Sequence, residues 1–159
     1  MFYIGVIGSG ECNVKIAGLA EQVGREIARR GCTLICGGRS GVMEAAARGA
    51  MEAGGLTVGI LPGRKREDGN PYLTVTLATG LGEARNAVIA CASDAIIAVA
   101  GGYGTLSEIG LALKMGKPVI GFCTWQVTWP GTDNACFEKV DTPAEAVDRA
   151  LLLASWNKC

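Results

Sequence analysis

Five short apolar runs, Phe2–Gly8, Cys32–Cys36, Leu56–Leu61, Asp94–Val99 and Pro118–Cys123, alternate with stretches whose apolar residues recur at helical spacing. Between the first two runs, Ile16, Leu19, Ala20, Val23, Ile27 and Ala28 mark one face of a helix over Val14–Arg30, stopped by Gly31. Further helices are predicted over Val42–Ala53, Glu83–Ala92 and Thr105–Met115. Thr142-Pro143-Ala144-Glu145 has the form of a capped start for a last helix, over Ala146–Ser155. A short strand is expected at Tyr72–Leu77, and no element is assigned between 124 and 140. Strands separated by a helix cross over with a right hand and pair in parallel, so both faces of the sheet need cover. The predicted fold is α/β, a Rossmann-like three-layer αβα doubly wound parallel sheet, in one domain over residues 1–159; if the strand order is 3-2-1-4-5, it reverses between the first and fourth strands.

Ligands of such sheets bind beyond the carboxyl ends of the strands, where the order reverses. Here that point lies between the strand ending at Gly8 and the strand ending at Val99. Both end in glycine turns, Gly8-Ser9-Gly10 and Gly101-Gly102-Tyr103-Gly104-Thr105, and the second runs straight into a helix. Amides at a helix N-terminus suit an anion, so this turn, with the Thr105 hydroxyl, is read as a phosphate site. Gly37-Gly38-Arg39-Ser40-Gly41, after the second strand, reads as a further anion cradle or as a plain tight turn. Glu108, expected on the opening turn of its helix, is either an ordinary acid complementing the dipole or a ligand-facing group. Arg85 is a cation in a first turn, which opposes the dipole, and pairing with Glu108 or holding a phosphate would explain it.

Other chemistry is excluded by what the chain lacks. There is no histidine, which removes Ser-His and Cys-His nucleophiles and every histidine zinc site, and no metal site is predicted. Lys plus Arg and Asp plus Glu number 15 each, so no general affinity for nucleic acid or an anionic membrane is expected. The seven cysteines include no C-x-x-C pair and mostly sit among apolar residues, which suits reduced thiols in the cytoplasm. Cys32 and Cys36 fall on one face of a strand. No apolar run reaches membrane-spanning length, and the N-terminus lacks the form of a signal peptide.

A dinucleotide site is disfavoured twice. Gly8-Ser9-Gly10-Glu11-Cys12-Asn13 has Asn13 where the third glycine belongs, and Gly37-Gly38-Arg39 stands where an acid would hold the ribose. Arg64-Lys65-Arg66 is a solvated loop or a basic lid over the ligand side of the sheet. Trp125 and Trp129 pack locally or supply a stacking wall. Lys114 and Lys117, near the far end of their helix, are expected to complement its dipole.

The pairing of Gly37-Gly38-Arg39-Ser40-Gly41-Val42-Met43-Glu44-Ala45-Ala46 with Gly101-Gly102-Tyr103-Gly104-Thr105-Leu106-Ser107-Glu108 resembles the LOG-like (SLOG) superfamily. That superfamily, once labelled "lysine decarboxylase", includes cytokinin riboside 5′-monophosphate phosphoribohydrolases and molybdenum cofactor carriers. Gly59-Ile60-Leu61-Pro62 and Asn70-Pro71-Tyr72-Leu73 look closest to its carrier-related bacterial branch. The resemblance implies a small phosphorylated ligand, a nucleotide or molybdenum cofactor, bound by Gly8, Ser9, Gly10, Gly37, Gly38, Arg39, Ser40, Gly41, Arg85, Gly101, Gly102, Tyr103, Gly104 and Thr105. The other activity in the superfamily is phosphoribohydrolase, needing no cofactor, with Arg85 and Glu108 as the catalytic pair and Arg85 keeping Glu108 ionised. It also implies a homo-oligomer, dimer or tetramer, for which the Leu106, Ile109, Leu113 stripe is a contact unless it is core. Two departures stand out. Ala100 replaces the hydrolases' proline, a change expected to be neutral because a strand end needs no fixed φ, and Asn86 replaces their lysine, removing a cation. Decarboxylation through a lysine Schiff base finds no lysine in the proposed site.

Overall fold

The computed structural model describes residues 1–157, so Cys159 lies outside the described residues. The elements are β1 (Tyr3–Gly8), α1 (Val14–Arg29), β2 (Thr33–Cys36), α2 (Val42–Glu52), β3 (Thr57–Leu61), β4 (Val75–Ala78), α3 (Arg85–Ala92), β5 (Ala95–Val99), α4 (Tyr103–Lys114), β6 (Val119–Phe122), β7 (Glu138–Val140) and α5 (Pro143–Trp156). All seven strands form one parallel sheet in the order β4-β3-β2-β1-β5-β6-β7. The five anticipated strands keep their relative order at its centre. β4 extends one edge, and β7, in the stretch left unassigned, extends the other.

The sheet is covered on both faces. Val23 and Ile27 of α1, Val42 and Ala46 of α2, and Val147 and Ala150 of α5 pack on Ile4, Val6, Leu34, Ile97 and Phe122. On the opposite face, Ile89 of α3 and Ile109 of α4 meet Ile7, Ile35, Ile60 and Ile96. The successive residues Ile96 and Ile97 point to opposite faces, as the pleat requires, and the central strands are apolar throughout because neither face meets water. Cys32 and Cys36 sit together in the first core, and burial pushes the Cys36 thiol up to about 11. Cys91 and Cys123 are exposed instead, so the cysteines are not uniformly buried.

Several boundaries differ from the sequence-based expectation for local reasons. The helix expected from Glu83 opens as a 3-10 turn, Gly82–Ala84, and becomes α-helical only at Arg85. α4 starts at Tyr103 and not at Thr105, so Glu108 falls on its second turn, beyond the strongest reach of the helix dipole. Asn13 N-caps α1, its Oδ1 accepting from the amide of Ile16 at 2.9 Å, which gives a structural reason for the missing third glycine. Thr142 caps α5 in the same way, with Pro143 opening the helix. Lys117 serves α3 and not its own helix: its Nζ donates to the Cys91 and Ser93 carbonyls at 3.1 and 2.7 Å. Within the stripe on α4, Ile109 is core while Leu106 and Leu113 are half-buried.

The closest helix packing is between α1 and α2. A Cβ built on Gly24 would lie 1.9 Å from the Ala46 carbonyl oxygen, and one on Gly49 would lie 1.9 Å from that of Glu21. The backbones therefore touch where both helices carry glycine. Gly49→Ala, which on a free helix would gain about 1 kcal/mol of propensity, is expected instead to destabilise the protein by roughly 2–3 kcal/mol through overpacking. Chemical denaturation of the variant measures the sign.

Candidate functional site

The carboxyl ends of β1 and β5 open into a cleft of about 320 Å³. Its walls include Gly8, Ser9 and Gly10 after β1, Gly37 after β2, Arg85 and Asn86 at the start of α3, and Gly102, Gly104, Thr105 and Glu108 of the β5–α4 turn and helix. The two glycine turns anticipated on opposite sides of this crevice do face one another. Met43, Val6 and Ile7 complete the wall; they carry no polar signal, although Met43 lies inside the quoted motif.

The glycines divide into two groups. Gly8 and Gly37 have no room for a side chain: a Cβ on Gly8 would come 2.5 Å from the Val99 carbonyl oxygen, and one on Gly37 would come 2.5 Å from Arg85 Nη1. Gly101 has φ of 103°, and its Cβ would collide with the Thr105 side chain. Gly102 and Gly104 differ, because a Cβ on either meets nothing within 4 Å. Packing does not explain these two. Gly102 is the N-cap of α4 and provides no side chain, so the helix's first amides lack both intrahelical partners and a cap beside an open cleft.

The Gly37–Gly41 turn is used differently. The Gly38 amide donates to Cys36 Sγ at 3.4 Å, the Val42 amide to the Ser9 carbonyl at 3.0 Å and Ser40 Oγ to the Gly10 carbonyl at 2.7 Å. The last two bonds lash the second turn to the first, and Gly37 alone of that turn reaches the cleft wall. Arg39 and Ser40 line a separate recess of about 210 Å³ with Glu44, Asp68 and Asn70. Gly38, Gly41, Gly101 and Tyr103 lie off the cleft wall, Tyr103 being 84% exposed and stacked on Trp125 with centroids 6.0 Å apart. Arg64-Lys65-Arg66 is exposed, and the loop's far end is pinned where Asn70 bonds the carbonyls of Gly38 and Arg39 at 2.9 and 3.0 Å.

Arg85 does not form an ion pair with Glu108. Its Nη1 donates to the carbonyls of Gly37 and Ile60, joining the ends of β2 and β3 beneath the cleft. The guanidinium sits low enough in the protein for burial to push its pKa down, opposed by the Glu108 charge. Glu108 is not held ionised either: burial pushes its carboxyl up to about 7, and the nearby Arg85 offsets only part of that. Among the described residues, two buried side-chain polar atoms lack a hydrogen-bond partner, Arg85 Nε and Asn86 Oδ1. They are adjacent in sequence, and both residues line the cleft.

The sequence profile of the SLOG cluster4 family matches residues 1–149. The chain belongs to the SLOG cluster4 family. Among solved structures, this SLOG cluster4 protein is similar to the molybdenum cofactor binding protein of the phototrophic bacterium Rippkaea orientalis, with 37% identity, TM-score 0.88, and 95% of this chain and 96% of that chain covered. It is also similar to the molybdenum cofactor carrier protein of Chlamydomonas reinhardtii, with 34% identity, TM-score 0.84 and coverage of 96% and 98%. A cytokinin riboside 5′-monophosphate phosphoribohydrolase of Mycobacterium tuberculosis is 35% identical over 116 residues, 67% of this chain and 62% of that protein. A probable enzyme of the same name from rice is 40% identical over 93 residues but covers only 57% of this chain and 38% of its own length. The SLOG cluster4 chain thus spans less than two thirds of these hydrolases' length.

One departure from the hydrolase motif has a backbone cause. Ala100 has φ of 49°, in the left-handed region, and its amide donates to the Phe122 carbonyl at 3.2 Å. The strand end does have a fixed φ, contrary to expectation, and proline can supply neither that angle nor the amide. Ala100→Pro is therefore expected to cost 3 kcal/mol or more, and Ala100→Gly to stabilise by roughly 1 kcal/mol, both read by denaturant unfolding. Glu108 sets a pH dependence of the opposite sense to an ion-paired acid. Its folded pKa lies above its unfolded one, so ionising it costs stability progressively as pH rises from about 4.5 through 7. Glu108→Gln should match wild type near pH 4.5 and exceed it at pH 8 by up to roughly 3 kcal/mol, reduced by residual solvation.

Proposed function

We propose that this protein binds a small phosphorylated heterocycle, a nucleotide or a molybdopterin-type cofactor, as a carrier-type binding protein. The observation that carries this reading is the uncapped first turn of α4, whose amides border the cleft beside Gly102 and Gly104, two glycines that no packing contact requires. A phosphate at that turn would take those amides and the favourable end of the helix dipole. The cleft extends from there past Ser9 and Gly10 to Arg85, Asn86 and Glu108, which leaves polar groups for the rest of the ligand. Such residues fit a phosphorylated pterin as they fit a nucleotide: an amide cradle for the phosphate, and the polar residues Ser9, Asn86 and Glu108 along the rest of the cleft wall. The molybdenum cofactor proteins to which the fold is similar over nearly its whole length support this reading.

Glu108 favours a second reading, a phosphoribohydrolase cleaving the N-glycosidic bond of a nucleoside 5′-monophosphate. A carboxyl that titrates near neutrality can protonate a departing base and, once ionised, stabilise an oxocarbenium-like sugar. The phosphate cradle would supply the remote binding that positions the scissile bond. Against it stands Asn86, which removes a cation found in the hydrolase motif, and Arg85, whose Nη1 is engaged by two backbone carbonyls. The exposed apolar side chains Val75, Leu77, Leu81 and Val88 suit a self-associating surface, in keeping with a homo-oligomer.

Thermal unfolding with 5′-AMP, 5′-GMP and ribose 5-phosphate tests the cradle. Each is expected to raise the melting temperature by several degrees at a hundred times its Kd, and Gly102→Asp to remove the shift while leaving the unliganded melting point nearly unchanged. No shift with any of the three would sink the phosphate-binding reading. Chromatography of the same mixtures tests the second reading, which requires free base that disappears in Glu108→Ala.

A further inference from the structure

Among the described residues, two that are not glycine have a left-handed backbone: Ala100, with φ of 49°, and Cys123, with φ of 51°. They end neighbouring strands, Ala100 following β5 and Cys123 following β6. Such a conformation costs an L-residue energy at each place and persists only where its surroundings hold it. The two strand ends hold each other. The Ala100 amide donates to the Phe122 carbonyl at 3.2 Å, and the Ala100 carbonyl accepts from the Thr124 hydroxyl. The next residue repeats the contact one step further on, Trp125 Nε1 donating to the Gly102 carbonyl at 3.1 Å. Two successive side chains after β6 thus take two alternate carbonyls of the turn that leads into α4.

A trans peptide is planar, with its C=O and N–H on opposite sides. Fixing the Ala100 carbonyl on Thr124 turns the Gly101 N–H away from Thr124, and fixing the Gly102 carbonyl does the same for the Tyr103 N–H. The Gly102 carbonyl also accepts the Leu106 amide at 3.1 Å, so the indole is its second donor. In the sheet β5 lies between β6 and β1, and away from the β6 side is toward β1, where the cleft opens. Gly101 and Gly102 leave the turn free to hold these peptides the other way round, which would set a carbonyl oxygen where an anion belongs. The anchor is itself well fixed. Trp125 is half-buried against the core on the α3 and α4 face, its ring stacks on Tyr103, and Lys139 of β7 donates to the Thr124 carbonyl at 3.2 Å.

Resting on the phosphate-cradle reading, we propose that Thr124 and Trp125 are positioning residues for the phosphate turn. Neither lines the cleft. They grip the turn from behind and aim its amides before anything binds, so no peptide has to rotate when a phosphate arrives. The bonds also reinforce one another. A peptide whose oxygen accepts from the indole donates more strongly through its N–H, and an anion on that N–H strengthens the indole bond in return.

The test is titration of the full chain with ribose 5-phosphate, followed by calorimetry and by the NMR signals of the tryptophan indole N–H groups. Thr124→Val and Trp125→Phe each remove one donor while keeping most of the bulk, and the second also identifies the Trp125 signal. Each is expected to weaken ribose 5-phosphate roughly fivefold, the worth of one hydrogen bond. Thr124→Ser, which keeps the hydroxyl, is expected to restore wild-type affinity, a rescue that a packing role for the Thr124 methyl would not give. In the wild type the Trp125 indole signal is expected to move on saturation while those of Trp129 and Trp156 stay. If Thr124→Val does not fold, Trp125→Phe and the wild-type indole signal decide. Wild-type affinity in the variants that lack a donor, Thr124→Ser weakened as much as Thr124→Val, or an unmoved Trp125 signal overturns the positioning role while leaving the phosphate cradle standing. Failure of the wild type to bind ribose 5-phosphate overturns the cradle, and this inference with it.

Discussion

A single buried cation organises the ligand side of this sheet. Arg85 Nη1 reaches under the cleft to the carbonyls of Gly37 and Ile60, so one guanidinium ties the ends of β2 and β3 to the start of α3. Gly37 lies just past the end of β2, and Ile60 just past the last β2–β3 pairing at Cys36–Gly59, so the guanidinium bonds where these two strands part. A charge-assisted bond there is stronger than a neutral one and cannot be lost by deprotonation, because arginine stays charged even where burial lowers its pKa. The guanidinium also explains why Gly37 has no side chain, since a Cβ would occupy the same space. It bears on Glu108 as well. Burial lifts the carboxyl to about 7, and the cation, committed to backbone oxygens, offsets only part of that.

Around that cation the glycines do two kinds of work, which the packing separates. Gly24 and Gly49 let two helix backbones touch, and Gly8, Gly37 and Gly101 leave space for neighbouring protein atoms. Gly102 and Gly104 leave space for nothing in the protein. The same contrast separates the two glycine turns that look alike in sequence. The Gly38 and Val42 amides are taken by Cys36 Sγ and the Ser9 carbonyl, so that α2, whose Gly41 N-cap likewise offers no side chain, has its first amide bonded within the protein, whereas among the described residues no such bond meets the first amides of α4. One turn is structural glue between adjacent strand ends, and the other keeps its donors for the cleft.

SLOG cluster4 membership, with relatives that include molybdenum cofactor carriers and phosphoribohydrolases, gives the chain a ligand-binding or hydrolase role within the LOG-like group. Two positions separate it from the hydrolase motif, and each has a physical consequence. Ala100 adopts a backbone angle closed to proline, so the strand-to-helix turn is built by a different route. Asn86 replaces a positive charge with an amide whose buried oxygen has no partner. The inner wall accordingly carries one positive charge fewer than the hydrolase motif supplies.

The fold was legible in the chain because alternation of apolar runs with helical periodicity is a local property, and a parallel sheet follows from it through connection length and handedness. Gly8, Gly102, Arg85 and Glu108 could be brought to one crevice by that topology alone. β7 escaped because a three-residue edge strand carries too little pattern, and Asn13 misled as a failed fingerprint because its capping bond depends on where α1 begins. What needed three dimensions was the partner of each polar group. Sequence places Arg85 and Glu108 within reach of each other, but only the packed structure shows the guanidinium bonded to two strand-end carbonyls and the carboxyl lifted by burial. Sequence supplies the elements and their order because these depend on near neighbours. Which glycine turn keeps its amides, and which side-chain atoms stay unpartnered, depends on groups dozens of residues apart competing for the same hydrogen bonds.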